Sequence, residues 1–212
     1  MANDTVNTLA QLNQLFQTLT ISLLGITFSN NADKSPYGKV RVSWPTEGQP
    51  AFKITEDVCF IRSLEIDNPY NKQRDVYFTT NYTGNNNAVD ANNCNQKTSF
   101  TRVLMVTWVF YGPSSFDNAQ KVRDGMFYQL NHDALANNNI YLLPNTESPR
   151  RAPELFQGQW WERTDLTMYF NELVIRNLAV PYLKSAQITI MRDNNRANEI
   201  VDVTEAIYNA TK

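Results

Sequence analysis

The residues best suited to chemistry in this sequence are three carboxylates that lie close together, namely Glu154, Glu162 and Asp165. Paired carboxylates can act as acid and base in hydrolysis. Arg150, Arg151 and Arg163 are interspersed with them. Guanidinium groups form charge-assisted hydrogen bonds with carboxylates, and such pairing suits an interface better than general-acid catalysis. We therefore favour a structural role for these acids, with a hydrolase as the less favoured alternative.

Other catalytic groups are scarce. His132 is the only histidine, so a histidine metal site or a Ser-His-Asp triad would depend on this one residue, which we expect to be solvated near a helix end. Cys59 and Cys94 lack CxxC spacing, and the pattern around Cys59 favours a buried, reduced thiol. No GxxxxGK[ST] or GxGxxG loop occurs. We predict that the protein is not an enzyme and uses no metal or cofactor.

The segment from Arg150 to Asp165 is the densest feature of the sequence. Tryptophan and arginine are enriched in binding hot spots, and this segment combines two adjacent tryptophans with three arginines. It predicts a subunit or partner interface made of Arg150, Arg151, Glu154, Phe156, Gln157, Gln159, Trp160, Trp161, Glu162, Arg163 and Asp165. A loop packed over its own core is an equally weighted interpretation. Both interpretations are correct if one indole points into the core and the other points towards a neighbouring molecule.

Length and composition limit the remaining function classes. The 212 residues, 42% of them hydrophobic, predict one soluble globular domain over 1–212. A formal net charge of -2 supplies no broad field for nucleic acid or anionic lipid. No apolar run approaches the roughly 20 residues of a membrane span, and no signal peptide is recognisable. We expect a cytosolic protein with no membrane contact.

Two helices are predicted from the spacing of apolar residues. Apolar residues at helical spacing indicate an amphipathic helix from Thr5 to Leu24, with Asp4 as its N-cap and Gly25 as its stop. A second helix opens with a capping box of Ser114 and Asp117 and ends near Asn137. Its predicted buried face consists of Phe116, Ala119, Val122, Met126, Phe127 and Leu130.

Alternating segments predict the strands, which span Val40–Trp44, Phe52–Ile66, Arg74–Tyr82, Phe100–Tyr111, Ile140–Leu143, Asp165–Phe170 and Lys184–Arg192. The segment Phe52–Ile66 is either one strand or a bent pair of strands. The face predicted to be buried in the second strand consists of Phe52, Ile54, Val58, Phe60, Leu64 and Ile66. Loops are expected over Thr46–Pro50, Thr83–Lys97 and Pro149–Gly158. The fold class is α+β, a mainly antiparallel sheet with the N-terminal and central helices packed on it.

Several longer strings resemble the phage neck terminator proteins, over roughly residues 5–176. They are VRVSWP at Val40–Pro45, GQPAF at Gly48–Phe52, DNPYNKQRD at Asp67–Asp75, WVFYGPSSFDNA at Trp108–Ala119, and the segment Pro149–Asp165. The C-terminal part, 177–212, matches less clearly, and its strands rest on alternation alone. More broadly, the layout resembles tail-terminator proteins, which are small α+β domains.

The resemblance implies a virion protein assembled in the host cytoplasm. It would form a homo-oligomeric ring, commonly a hexamer, that caps the tail tube. Its partners would be the tail-tube protein on one side and head-tail connector proteins on the other, with genomic DNA at most passing through the lumen. No catalytic residue carries over from the family. A tail-tube or other connector ring subunit is the alternative within the same class.

Overall fold

The protein is described by a computed structural model over residues 4–29, 35–43, 51–80, 94–180, 187–189 and 203–205. It divides into two compact units, a larger one of Asp4–Asp75 and Ser99–Arg176, and a smaller one that includes Val76–Thr98 and the chain from Asn177 onward. The prediction of a single domain stays a prediction. The fold is α+β with a mainly antiparallel sheet, as the sequence predicted.

The helices are α1 Leu9–Leu23, α2 Ser35–Lys39, α3 Pro69–Lys72, α4 Ser115–Gly125 and α5 Gln129–Ala136. The strands are β1 Val40–Val42, β2 Val58–Glu65, β3 Asp75–Thr80, β4 Cys94–Tyr111, β5 Ile140–Leu142, β6 Arg150–Arg151, β7 Glu154–Phe156, β8 Gln159–Trp161, β9 Arg163–Ala179, β10 Gln187–Thr189 and β11 Val203–Glu205. None of the described helices is both long and apolar enough to cross a membrane.

The main sheet has the strand order β1-β2-β4-β9-β5, with β3 paired to β4 and β6 paired to β9. Strand β1 runs parallel to β2, whereas β2 is antiparallel to β4 and both β5 and β6 are antiparallel to β9. Strands β7 and β8 form a separate antiparallel hairpin, and β10 pairs with β11. Because β6 and β9 flank the β7–β8 hairpin in sequence, the main sheet fixes both ends of the segment predicted to be an interface.

Helix α1 packs on one face of the sheet. Its Phe16 lies against Phe170 and Trp108, with ring centroids 4.8 and 6.1 Å apart, and the indole Nε1 of Trp108 donates to Oγ1 of Thr20 at 2.9 Å. The core on this face also contains Leu104, Val106, Phe110, Leu166, Met168, Cys59 and Ile61. The expected inward face of Leu166, Met168 and Phe170 is therefore confirmed, and Cys59 is the buried free thiol that was predicted.

The ends of α1 are set by local hydrogen bonds. The predicted N-cap, Asp4, is wrong: Thr8 caps the helix through a capping box with Gln11, and Asp4 instead bonds Arg176 at 2.8 Å. A hydroxyl that is followed three residues later by glutamine satisfies two free backbone N–H groups at once, which a carboxylate four residues further upstream cannot do. The predicted stop at Gly25 is confirmed, because its φ of 70° is the left-handed conformation that ends helices.

The predicted buried face of β2 is confirmed for Val58 and wrong for Phe60 and Leu64. Cys59, Ile61 and Ser63 face the core, while Phe60 and Leu64 lie half-buried on the opposite face. In the antiparallel register Ile61 lies beside Trp108, so the odd-numbered residues of β2 join the even-numbered residues of β4. Apolar side chains occupy both faces of β2, and alternation alone therefore did not identify the face that α1 covers.

The predicted central helix is two helices. The chain turns between α4 and α5 at Met126–Tyr128, where the N–H of Tyr128 donates to the carbonyl of Gly125 at 3.1 Å. The turn interrupts the helical period, so Phe127 and Leu130, which were predicted to be buried, are exposed. The predicted capping box is also wrong: the Ser114 side chain makes no cap bond, and its N–H donates to Oδ1 of Asp57.

Other differences concern the ends of strands. The loop predicted over Pro149–Gly158 contains β6 and β7, and β9 extends to Ala179, well beyond the predicted end at Phe170. Within the predicted strand Lys184–Arg192 the structure describes β10, and β11 was not predicted. Trp44, Thr46–Pro50, Tyr82 and positions 83–93 lie outside the described residues.

Candidate interaction surface

The segment from Arg150 to Asp165 leaves the main sheet and returns to it. At its start, Arg150 pairs with Asp165 and Arg151 with Thr164, and the N–H of Ala152 donates to the carbonyl of Arg163 at 2.9 Å. Backbone hydrogen bonds therefore hold the two ends of the segment together. The ten residues between Ala152 and Arg163 project as the β7–β8 hairpin.

A two-residue turn closes the hairpin. Gln157 and Gly158 have φ values of 49° and 77°, and positive φ at both central residues is typical of the tight turns that match strand twist. In this register Leu155 lies opposite Trp160 and Glu154 lies opposite Trp161. Because side chains alternate across a strand, Leu155 and Trp160 share one face of the hairpin.

The two indoles of the segment have different surroundings. Trp161 is half-buried and packs edge-on against Phe52, at a centroid distance of 5.4 Å. Trp160 is 66% exposed and its cross-strand neighbour Leu155 is 60% exposed. The interpretation of one inward indole is confirmed for Trp161. Trp160 points outward, and most of its apolar surface is exposed.

Trp161 completes an aromatic cluster on the face of the sheet opposite α1. Phe52 is its centre and lies 5.6 Å from Tyr111 and 5.8 Å from Phe60. The guanidinium of Arg41 lies over the rings of Phe52 and Phe60, at 5.5 and 5.8 Å from their centroids, within the range of cation–π attraction. We call Phe52, Phe60, Tyr111 and Trp161 the aromatic cluster.

Glu154 and Arg163 connect this cluster to the base of the hairpin by hydrogen bonds. The Nε and Nη2 of Arg163 donate to the two carboxylate oxygens of Asp165 at 2.8 and 3.0 Å, and its Nη1 donates to Glu154 at 3.0 Å. The hydroxyl of Tyr111 donates to the other oxygen of Glu154 at 2.9 Å. Bidentate pairing of this kind fixes geometry as well as charge, so the base of the hairpin is rigidly held.

These contacts shift the pKa of two groups. The hydrogen bond to Asp165 is the main reason that the pKa of Arg163 rises above its ordinary value, with the bond to Glu154 adding to it against the effect of burial. Burial, followed by the hydrogen bond to Glu154, raises the pKa of Tyr111 to about 12. Arg163 is therefore always charged and Tyr111 is always a donor at neutral pH.

The remaining predicted site residues lie at the rim. Arg151 and Glu162 form an ion pair at 2.9 Å between two well-exposed side chains. Gln157 and Gln159 are exposed on and beside the turn, and the side chain of Arg150 is exposed at the base. All eleven predicted residues thus belong to one continuous structural feature.

The three carboxylates of the segment are all paired with arginines. Each of Glu154, Glu162 and Asp165 accepts a hydrogen bond from an arginine, as the sequence predicted. Within the described part of the chain, no group of three or more histidine, cysteine, aspartate or glutamate side chains could hold a metal ion. His132 is exposed on α5, as predicted.

Sequence reasoning missed the residues beneath the hairpin, namely Arg41, Phe52, Phe60 and Tyr111. Phe52 and Phe60 did share a parity in the alternating pattern, but that parity was assigned to the core. Nothing in the sequence indicates that Phe52 contacts Trp161, because the two are joined only through the pairing of β2, β4 and β9.

The fold is an α+β domain that carries a hairpin with an exposed tryptophan. The chain matches the family model described as phage neck terminator protein over residues 10–194, and it belongs to that family. Its role is accordingly a structural one in the phage neck or tail. A comparison with curated proteins gave no match.

Proposed function

We propose that the protein forms a homo-oligomeric ring, a hexamer, that caps the tail tube of a phage and joins it to the head connector. The ring is assembled in the host cytoplasm and remains in the neck of the virion. The tail-tube protein contacts one side of the ring and the connector proteins contact the other. Genomic DNA at most passes through the lumen, in keeping with a net charge of only -2.

The exposed pair of Leu155 and Trp160 is the observation that carries this proposal. A solvent-facing tryptophan beside a leucine on a rigid hairpin is the type of anchor on which interface energy concentrates. The hairpin is fixed before binding, since Arg163 and Tyr111 both hold Glu154 at its base. A preformed anchor loses little conformational entropy when it binds, which favours assembly.

The rim of the hairpin suits the same role. Arg150, Arg151 and Glu162 are charged and exposed at the base of the hairpin that carries the apolar anchor. Interfaces commonly have this arrangement of an apolar centre inside a polar rim. The eleven residues of the segment therefore act together as a contact surface towards a neighbouring subunit or partner.

Native mass spectrometry of the purified protein, with negative-stain imaging, tests the ring directly. We expect a closed oligomer for the unaltered protein, and Trp160→Ala should shift it to smaller species. Tyr70→Ala is the matched control, because Tyr70 on α3 is also an exposed aromatic residue that lies outside the segment. Smaller species that form equally with Tyr70→Ala, or not at all with Trp160→Ala, would contradict the interface.

Stoichiometry in whole particles separates the terminator from its rival within the same class. A terminator occurs in one ring per particle, whereas a tail-tube subunit occurs in many stacked rings. Quantitative mass spectrometry of purified virions, normalised to the major capsid protein, measures this ratio. Many copies per particle would favour the tail-tube subunit.

A further inference from the structure

A second apolar surface lies at the corner between α4 and α5. Phe127, Tyr128 and Leu130 are 44%, 64% and 79% exposed, respectively. We call these three residues the corner patch. The exposure of three large apolar side chains within four residues requires an explanation, because burial of such side chains would stabilise the protein.

The corner is ordered by its own hydrogen bonds. Asn131 is buried and its Nδ2 donates to the carbonyl of Gly125 at 2.7 Å. The carbonyl of Tyr128 accepts from the N–H groups of Asn131 and His132 at 3.0 and 3.1 Å. Met126, beside the patch, is fully buried in the core. The backbone is thus held so that the corner patch points away from the core.

The corner patch and the hairpin lie on opposite faces of the main sheet. The corner belongs to the helix layer, because Met126 packs in the same core as Phe16 of α1. The hairpin packs through Trp161 on Phe52, which in turn contacts Tyr111 on the other face. A twofold contact uses one patch against itself, whereas a head-to-tail contact needs two different patches on one subunit. Two patches on opposite faces meet the second requirement.

The two surfaces also differ in charge. The segment from Asp124 to Asp133 around the corner patch carries these two acids and neither lysine nor arginine. Asp124 is bonded at 3.4 Å by the neighbouring Arg123, so its charge is partly compensated, and Asp133 has the neutral Gln129 as its partner. The segment Arg150–Asp165 carries three arginines and three acids, so its formal charge is zero. The negative charge around the corner patch disfavours contact of one corner with another, and the neutral hairpin segment meets no such repulsion there.

The exposed areas are adequate for such a contact. We call Leu155 and Trp160, which are 60% and 66% exposed and share one face of the hairpin, the hairpin patch. From the usual areas of these side chains, the hairpin patch exposes about 300 Å² and the corner patch about 400 Å² of apolar surface. Brought together, they would form somewhat less than half of a standard interface, which buries about 1,600 Å² in total. The remainder would come from the polar rim.

We infer that the corner patch of one copy of this chain receives the hairpin patch of the next copy. This inference rests on the proposed ring and identifies the two surfaces that make it. Each subunit gives its hairpin to one neighbour and accepts a hairpin at its corner from the other. Repetition of this contact closes a ring when the rotation per subunit divides a full turn.

Mixing two variants tests the inference. Trp160→Ala has a defective hairpin patch and an intact corner, whereas Tyr128→Ala combined with Leu130→Ala has the reverse. Each variant alone should lose the ring. Mixed together, they should form a 1:1 dimer that grows no further, because one good contact joins them and both remaining surfaces are defective. Native mass spectrometry resolves this dimer, since the two variants differ in mass.

Other outcomes separate the inference from the proposed function. An unaltered protein that stays monomeric would contradict the ring itself. An intact ring in the Tyr128→Ala and Leu130→Ala variant would overturn only the inference, as would a mixture that yields no dimer. Circular dichroism melting of each variant, with Tyr70→Ala as the control, shows whether folding is retained.

Crosslinking gives a second measurement in the full ring. A benzophenone amino acid in place of Leu155 should crosslink to residues 126–131 of a neighbouring subunit. Crosslinks to another hairpin would indicate a twofold contact and would overturn the inference. Because Leu155 itself belongs to the hairpin patch, ring formation by this variant is measured by native mass spectrometry before irradiation.

Discussion

The hydroxyl of Tyr111 donates a hydrogen bond of 2.9 Å to Oε1 of Glu154. Tyr111 is the last residue of β4 and Glu154 is the first residue of β7, so this bond joins the main sheet to the hairpin. Arg163 binds the other oxygen of the same carboxylate at 3.0 Å. Glu154 is thus held from two sides, and the position of the outward Trp160 depends on contacts made several residues away.

Replacement of Tyr111 by phenylalanine should reduce the free energy of unfolding by about 1 kcal/mol, the usual net value of one hydrogen bond. Because the folded-state pKa is raised from 10.0 to about 12, this contribution is fully present below pH 10.0 and is lost as pH rises through about 12. Urea denaturation of both proteins across that range measures it. A difference between them that does not change with pH would contradict the assignment to this hydroxyl.

The adjacent tryptophans should respond in opposite ways to replacement by alanine. Trp161→Ala removes a half-buried ring from the aromatic cluster and should cost about 2 to 3 kcal/mol of stability. Trp160→Ala removes an exposed ring and should cost about 0.5 kcal/mol or less while weakening assembly. Thermal melting at low protein concentration measures folding, and native mass spectrometry measures assembly.

Trp161→Phe is the informative control for that pair. The indole Nε1 of Trp161 is buried without a hydrogen-bond partner among the described residues. Phenylalanine keeps an aromatic ring against Phe52 and removes this unsatisfied donor, so its cost should be below about 1 kcal/mol. A loss as large as that of Trp161→Ala would mean that the indole has an essential polar contact.

The sequence correctly predicted the elements that are determined by residues close together in the chain. Helix α1 shows a single apolar stripe that includes Leu12, Phe16 and Leu19, and Gly25 marks its end by a local backbone requirement. The pairing of carboxylates with arginines within Arg150–Asp165 was also predicted, because oppositely charged residues were close together in the chain. These inferences need only local information.

The predictions failed where distant strands decide the outcome. Phe60 and Ile61 are equally apolar, and only the register with β4 determines that Ile61 faces α1 while Phe60 faces Phe52. The contact of Phe52 with Trp161 likewise depends on strands far apart in sequence. Periodicity carries no information on such pairs, so the aromatic cluster beneath the hairpin could not be predicted.

Gly112→Ala should prevent stable folding. Gly112 has a φ of 109°, and a Cβ there would lie 2.4 Å from Oδ1 of Asp57 and 2.6 Å from the carbonyl oxygen of Glu56. Backbone strain and overlap together should cost more than about 3 kcal/mol. Gly158→Ala is the matched control: its φ is 77° but no atom lies within 4 Å, so about 1 to 2 kcal/mol is expected. Soluble yield and melting temperature are measured for both variants. Equal losses of stability would show that backbone strain, and not overlap with Asp57 and Glu56, causes the effect.

Glu172→Ala should be the most destabilising carboxylate replacement in the larger unit. Glu172 is fully buried, and it accepts hydrogen bonds from Nε of Arg102 at 2.8 Å and from the N–H and Nδ2 of Asn7 at 2.8 and 2.9 Å. Its removal leaves Arg102, itself mostly buried, without this partner, and such losses cost about 3 to 5 kcal/mol.

Asp67→Ala is the control, because the exposed pair of Asp67 and Lys72 should contribute less than about 1 kcal/mol. Urea denaturation compares both variants with the unaltered protein. A small effect at Glu172 would show that water or a rearranged Asn7 replaces the lost carboxylate, and the N-terminal segment would then be held chiefly by the backbone bonds between Thr5 and Ile175 at 2.9 and 3.0 Å.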